Sequence, residues 1–233
     1  MKRLFTIGDI HEELKKLKNL ISQLYISNED TLVFLGDYVD RGPNSCGVIE
    51  FLLRLKDDVN CVFIKGNHDH VFFTDVLYNG NNLHKDNLGF WDYGAKSTLR
   101  SYRKAQINPE SHLESFYRLL MPYYVIDKRL FIHAGFNRNY LVTAQPDEEI
   151  FWWDRELINE AVSKHDDSVS FRLGSSDDFD TIYIGHTPTY HWGKSVPFQW
   201  CNVWNLDTGA GKSKAAKLSC MEVNEEMIFQ SVY

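Results

Sequence analysis

The sequence predicts an α/β fold, and three observations carry that reading. Short apolar runs of strand length recur along the chain; most of them end in a glycine followed by a polar residue; amphipathic helical segments separate the early ones. Continuously apolar runs closed by glycine suit strands buried on both faces. Their alternation with helices is the beat of βαβ units in a largely parallel sheet.

The first element is RLFTIG (3–8), a buried-type strand. HEELKKLKNLISQL (11–24) follows, with Leu14, Leu17, Leu20, Ile21 and Leu24 at spacings of three and four, the mark of an amphipathic helix. Lys15, Lys16 and Lys18 fall on its wet face, read as a solvated surface in preference to a nucleic-acid patch. TLVFLG (31–36) is a second strand, SCGVIEFLLRL (45–55) a helix, and NCVFIKG (60–66) a third strand. Residues from about 70 to 121 read as mostly helical, with loops around NGNN and INPE. PYYVIDKRLFIHAG (122–135) predicts two strands joined by a turn near 127–129. A helical stretch near 147–164 precedes DDSVSFRLGSSDDFD (166–180), read as an exposed loop, and TIYIGHT (181–187), another strand. The tail segments 198–211 and 217–232, rich in strand formers and turn residues, predict a second, mainly antiparallel sheet. With no internal repeat or dividing linker, residues 1–233 read as a single domain.

The apolar content of 43% is that of a globular chain. A net charge of −7 argues against nucleic acid or an anionic membrane as the main partner. Cys46, Cys61, Cys201 and Cys220 form no CxxC pair, so they read as reduced thiols of a cytoplasmic protein. No stretch approaches the roughly 18 apolar residues of a membrane span, and the N-terminal apolar stretch is too short for a secretory signal.

The apolar runs lead into GDIH (8–11), GDYVDRG (36–42), GNHD (66–69), HAG (133–135) and GHTP (185–188). Singly, an Asp after a strand is more often a turn or cap residue, and a His there is usually structural. Strand ends of a parallel sheet converge on one edge, however, so five such motifs assemble into one constellation. Carboxylate, amide and imidazole donors without thiolate suit manganese, iron or zinc.

This ordered set resembles the calcineurin-like metallophosphoesterases, and GDYVDRG points to their phosphoprotein phosphatase branch. LDTGA (206–210), STLRSY (97–102) and FWWDRE (151–156) add likeness to small bacterial and phage serine/threonine phosphatases. The resemblance implies a four-layer α/β/β/α sandwich with two divalent metal ions, manganese first and iron or zinc as alternatives. It implies that Asp9 and His11 bind the first metal, that Asp37 bridges both, and that Asn67, His133 and His186 complete the second. His68 would be the general acid, oriented by Asp40, while Arg41 and Arg155, with Asn67 nearby, would grip phosphate oxygens. Such a pair of metals, about 3.5–4 Å apart, lowers the pKa of a bridging water and polarises the phosphoryl group.

The implied activity is phosphomonoester hydrolysis, as in a serine/threonine protein phosphatase, on a phosphorylated protein, peptide or small phosphoester. The alternative is symmetrical hydrolysis of dinucleoside polyphosphates such as diadenosine tetraphosphate, against which the intact Asp40 leans. A ligand-depleted scaffold and a nuclease are weaker readings, since every ligand is present and the chain is acidic. The chain also departs from the family pattern. Glu12 stands where GDxHG has glycine, and is read first as a carboxylate beginning a helix, second as charge near the site mouth. Lys65 replaces a frequent arginine, which weakens any phosphate role there, and WDYG (91–94) stands in place of NGG. His70, His84, His112, His165 and His191 read as surface or structural, and Trp152 and Trp153 as core or pocket wall.

Overall fold

A computed structural model describes residues 2–74, 94–164, 173 and 178–232. Strands β1 (Leu4–Ile7), β2 (Thr31–Phe34) and β3 (Asn60–Ile64) are parallel neighbours, linked by helices α1 (Leu14–Gln23) and α2 (Ser45–Asp58). Asn44 caps α2 by accepting from Gly47 N at 3.1 Å, a contact worth about 1 kcal/mol. Helices α3 (Asn67–Phe73), α4 (Ala95–Ala105) and α5 (Pro109–Tyr117) follow, and β4 (Leu120–Met121) adds to the sheet beside β3.

The second sheet runs β5 (Tyr123–Ile126), β6 (Arg129–Ile132), β7 (Thr181–Ile184), β9 (Val203–Asn205), β8 (Phe198–Trp200). Asp127 and Lys128, at φ of 49° and 58°, form the tight turn between β5 and β6. The predicted helix near 147–164 is two helices, α6 (Ile150–Trp153) and α7 (Glu156–Ser163), interrupted at Asp154 and Arg155.

Alternating side chains sort into layers. Phe5, Leu32, Phe34 and Phe63 face α1, α2 and α5, whereas Leu4, Val33 and Ile64 face the second sheet. From that sheet Phe131 and Tyr183 point inward, their rings stacked at 4.7 Å, while Leu130, Ile132, Ile182 and Ile184 pack on α6 and α7. Helix, sheet, sheet, helix is therefore the order, the four-layer sandwich expected from the sequence.

Three expectations need correction. The tail is divided between the two sheets and does not form an antiparallel sheet of its own. Strands β8 and β9 join the β6–β7 pair, with β9 parallel to β7, whereas β10 (Ser219–Glu222) lies antiparallel to β1 in the first sheet and β11 (Met227–Gln230) pairs antiparallel to β10 at its edge. Lys16 is not on a wet face: it is buried, and its ammonium donates to Ala216 O at 2.7 Å, anchoring the 213–216 loop. The first helix starts at Leu14, not His11, because His11 and Glu12 take left-handed φ of 44° and 63°. The expected loops at 79–82 and across most of 166–180 lie outside the described residues, although Leu173 and Phe179 are buried in the core.

Candidate metal centre

The strand ends meet at one edge between the two sheets. Asp9 and His11 follow β1, Asp37 to Arg41 follow β2, Asn67 and His68 open α3 after β3, His133 follows β6, and His186 follows β7. Asp9, His11, Asp37, Asn67, His68, His133 and His186 are all buried. Donor atoms of Asp9, Asp37 and His133 lie within 4.8 Å of one another, as do those of His11, Asp37 and His68. Asp37 belongs to both groups, with Oδ2 3.4 Å from His11 Nε2 and Oδ1 3.5 Å from His133 Nε2. Asn67 Oδ1 lies 3.1 Å from His133 Nε2 and 3.0 Å from His186 Nδ1.

The close approach needs glycine. A Cβ at Gly66 would fall 2.2 Å from Asp37 Oδ1, and one at Gly185 would fall 2.1 Å from Asp9 Oδ1. The loops are also strained: His11, Asp37, Asp40, Arg41 and His186 all have positive φ. Left-handed non-glycine residues concentrated in one place are characteristic of functional sites.

The donor set fits divalent cations. His133 Nδ1 donates to Leu35 O at 2.7 Å and His11 Nδ1 to Val39 O at 3.1 Å, which leaves each Nε2 lone pair facing the centre. Burial lowers the pKa of His11, His133 and His186, favouring the neutral, coordinating form. Burial pushes Asp9 up, and the neighbouring Asp207 and Asp37 add to the rise, a crowding of carboxylates that cations would relieve. His186 Nε2 and Asp207 Oδ2 are buried without a hydrogen-bond partner.

Beside these donors stands a second group. His68 Nδ1 lies 2.9 Å from Asp40 Oδ2, and His68 Nε2 lies 2.8 Å from Arg41 Nη2. A guanidinium only donates, so Nε2 accepts here and the ring proton sits on Nδ1, toward Asp40. Arg41 also reaches His11 Nε2 at 3.2 Å, while its side chain is open to solvent. Arg155 stands at the rim, its Nη1 3.5 Å from Thr187 Oγ1, next to His186. Trp153 forms the wall, edge-on to His186 with centroids 6.3 Å apart, whereas Trp152 belongs to the core.

Sequence reasoning missed two buried carboxylates. Asp69 accepts from Asp37 N at 2.8 Å, Tyr38 N at 2.9 Å and Gly66 N at 3.0 Å, tying the β2 and β3 loops together. It lies inside the quoted GNHD, where the acid at the third helical position was the available signal. Asp207, within LDTGA, accepts from Gly209 N at 2.8 Å beside Asp9. Lys65 extends over Trp152, with Nζ 4.5 Å from the ring centroid. His70 packs on Trp152 and His112 contacts Tyr102; His84 and His165 lie outside the described residues. The preferred reading of Glu12 is overturned: it precedes α1, is fully buried, and sets its Oε1 within 3.0 Å of the hydroxyls of Ser45, Ser97 and Thr98.

A two-sheet sandwich with buried Asp, Asn and His gathered at its loop edge is the build of a metal-dependent phosphoester hydrolase. The chain belongs to the calcineurin-like phosphoesterase family, whose profile matches residues 2–207. It is 27% identical over 221 residues to the bis(5'-nucleosyl)-tetraphosphatase PrpE [asymmetrical] of Anoxybacillus flavithermus, covering 87% of this chain and 84% of that one. Among solved structures, one described provisionally as a diadenosine tetraphosphatase aligns with TM-score 0.63 at 20% identity, covering 98% of this chain and 92% of the other. A protein serine/threonine phosphatase from Saccharomyces cerevisiae aligns with TM-score 0.62 at 14% identity, covering 99% and 79%. At these identities the structural likenesses show the fold alone.

Proposed function

We propose that this chain is a dinuclear-metal phosphomonoesterase acting on phosphorylated serine or threonine side chains, its residues 1–233 working as one domain. The observation that carries the reading is the Asp40–His68–Arg41 line beside the Asp37-centred donors. Asp9, His11 and Asp37 would hold one cation, and Asp37, Asn67, His133 and His186 would hold the other. Oxygen and imidazole donors without thiolate favour manganese, with iron or zinc also accommodated. When bound, such ions activate water and neutralise phosphoryl oxygens.

The protein's own groups do the rest. Arg41 offers a planar fork to two phosphate oxygens, and Arg155 and the Asn67 side chain approach from other sides. A phosphate that draws Arg41 onto its oxygens releases His68 Nε2, which takes a proton from solvent and passes it to the departing alkoxide. Asp40, fixed to Nδ1, holds the ring on that trajectory.

A groove of about 1290 Å3 opens past Arg41, lined by Lys15, Lys18, Arg100 and Lys214. Concentrated positive charge on a chain of net charge −7 favours a substrate with anionic groups beyond the scissile phosphate.

Hydrolysis of a dinucleoside polyphosphate is the second reading, favoured by the name that the 27%-identical relative carries. That name specifies asymmetrical cleavage, where the sequence comparison alone pointed to symmetrical. Purified protein with manganese, given phosphoserine peptides and diadenosine tetraphosphate in parallel, separates the readings. Inorganic phosphate released faster from the peptides supports the first. ATP with AMP, or ADP alone, formed faster from the dinucleotide replaces it with the second.

A further inference from the structure

Glu12 is a buried carboxylate that the proposed chemistry does not use. Its Oε1 lies 2.5 Å from Ser45 Oγ, 2.8 Å from Ser97 Oγ and 3.0 Å from Thr98 Oγ1. These hydroxyls come from the first turns of two different helices, Ser45 on α2 and Ser97 and Thr98 on α4. Glu12 thus clasps both helix ends at the loop that carries His11.

Thr98 is the link onward. Its Oγ1 lies 2.6 Å from Asp40 Oδ1 and also accepts from Asp40 N at 3.0 Å. A hydroxyl has one proton, so Thr98 cannot donate to Glu12 and Asp40 at once. The shorter contact is to Asp40, while Ser45 donates to Glu12 and keeps its Oγ 3.0 Å from Thr98 Oγ1, so Glu12 reaches Thr98 through Ser45. Asp40 is then held at two points, Oδ1 by Thr98 and Oδ2 by His68. The turn after Asp40 leans on the same residue, for a Cβ at Gly42 would lie 3.0 Å from the Glu12 Cβ.

We infer that Glu12 is a positioning residue for the acid step, holding Ser45 beside Thr98 and so Thr98 against Asp40, which keeps His68 aimed at the leaving oxygen. The inference rests on the reading of His68 as general acid. A buried polar network rigidifies what it holds, and here it runs through Glu12 Oε1, Oε2 being buried without a hydrogen-bond partner. Glycine at this position, as in the family's GDxHG pattern, could not make the clasp.

The test compares an activated aryl ester, p-nitrophenyl phosphate, with a phosphoserine peptide, whose alkoxide leaving group needs a proton. The variants are Glu12→Gln, Thr98→Val, Thr98→Ser, His68→Asn and the Glu12→Gln/His68→Asn pair, each checked for bound metal. His68→Asn is expected to lose about 100-fold in kcat on the peptide and little on the aryl ester. Glu12→Gln and Thr98→Val are expected to lose about tenfold on the peptide and under twofold on the aryl ester, with KM and metal content retained. Thr98→Ser should preserve the ratio of the two rates, and the double variant should fall no further than His68→Asn. Equal losses on both substrates, or losses that compound in the double variant, would mean that Glu12 only stabilises the fold, and the inference falls. A His68→Asn ratio equal to wild type instead overturns the acid assignment, and this inference with it.

Discussion

His68 Nδ1 meets Asp40 Oδ2 at 2.9 Å, with both side chains withdrawn from solvent. Burial pushes the Asp40 carboxyl up, and the hydrogen bonds from His68 and Thr98 offset part of that rise. A carboxylate kept in such a place for its effect on a neighbour should matter through that neighbour. Asp40→Asn is expected to lower kcat on phosphoserine peptides about 10- to 100-fold while leaving metal content unchanged. Steady-state kinetics with metal analysis of the same sample checks both halves.

Arg41 bonds to two imidazoles with separate guanidinium nitrogens and remains open to solvent, poised to exchange them for phosphate oxygens. Lysine there keeps the charge and loses the fork. With a charge-assisted hydrogen bond worth about 1.5–3 kcal/mol, Arg41→Lys should weaken inhibition by inorganic phosphate at least tenfold. Competitive inhibition constants for the two proteins give the answer.

Gly66 has no room for a side chain. Its added Cβ would lie 2.2 Å from Asp37 Oδ1 and 2.4 Å from Asp37 N, and the backbone cannot yield cheaply. Gly66→Ala should displace Asp37, destabilise the fold by about 1–3 kcal/mol and weaken divalent-ion binding. Thermal melting without metal reads the first effect and manganese titration reads the second.

Asp30 lies far from the centre, its side chain buried at the start of β2. Burial raises its pKa, but hydrogen bonds from Arg3 and Ser27 more than reverse this and hold it well below the usual carboxylate range. A depressed folded pKa gives stability that is present above the unfolded value of about 3.9 and is lost as pH falls toward the folded one. Asp30→Asn should therefore cost about 1–3 kcal/mol at pH 7 and progressively less below pH 4. Urea melts across pH 3–7 follow the difference.

The strands that carry the site were legible because each is continuously apolar and ends in a glycine–polar step or, in HAG, in the histidine itself. Asp9, His11, Asp37, Asn67, His133 and His186 could be picked out before any coordinate was known, and the structure brings them together. The sheet assignment of β8 to β11 was not legible, since alternation marks a strand without naming its neighbours. Lys16 and Glu12 were misread for another reason. Each sits among charged residues in sequence, and tertiary contacts to the 213–216 loop and to Ser45, Ser97 and Thr98 decide their burial. Asp69 and Asp207 carry no periodic signature, because a carboxylate that ties backbone amides acts alone. No helix among the described residues is long and apolar enough to cross a membrane, in keeping with the composition.

The most direct test counts the metal. Protein stripped with chelator, reloaded with manganese and freed of excess ions should retain two manganese ions per chain by elemental analysis, and Asp37→Ala should retain fewer than one. Wild-type protein that holds none, or an Asp37→Ala variant that still holds two, would contradict the claim that this carboxylate is shared between paired cations.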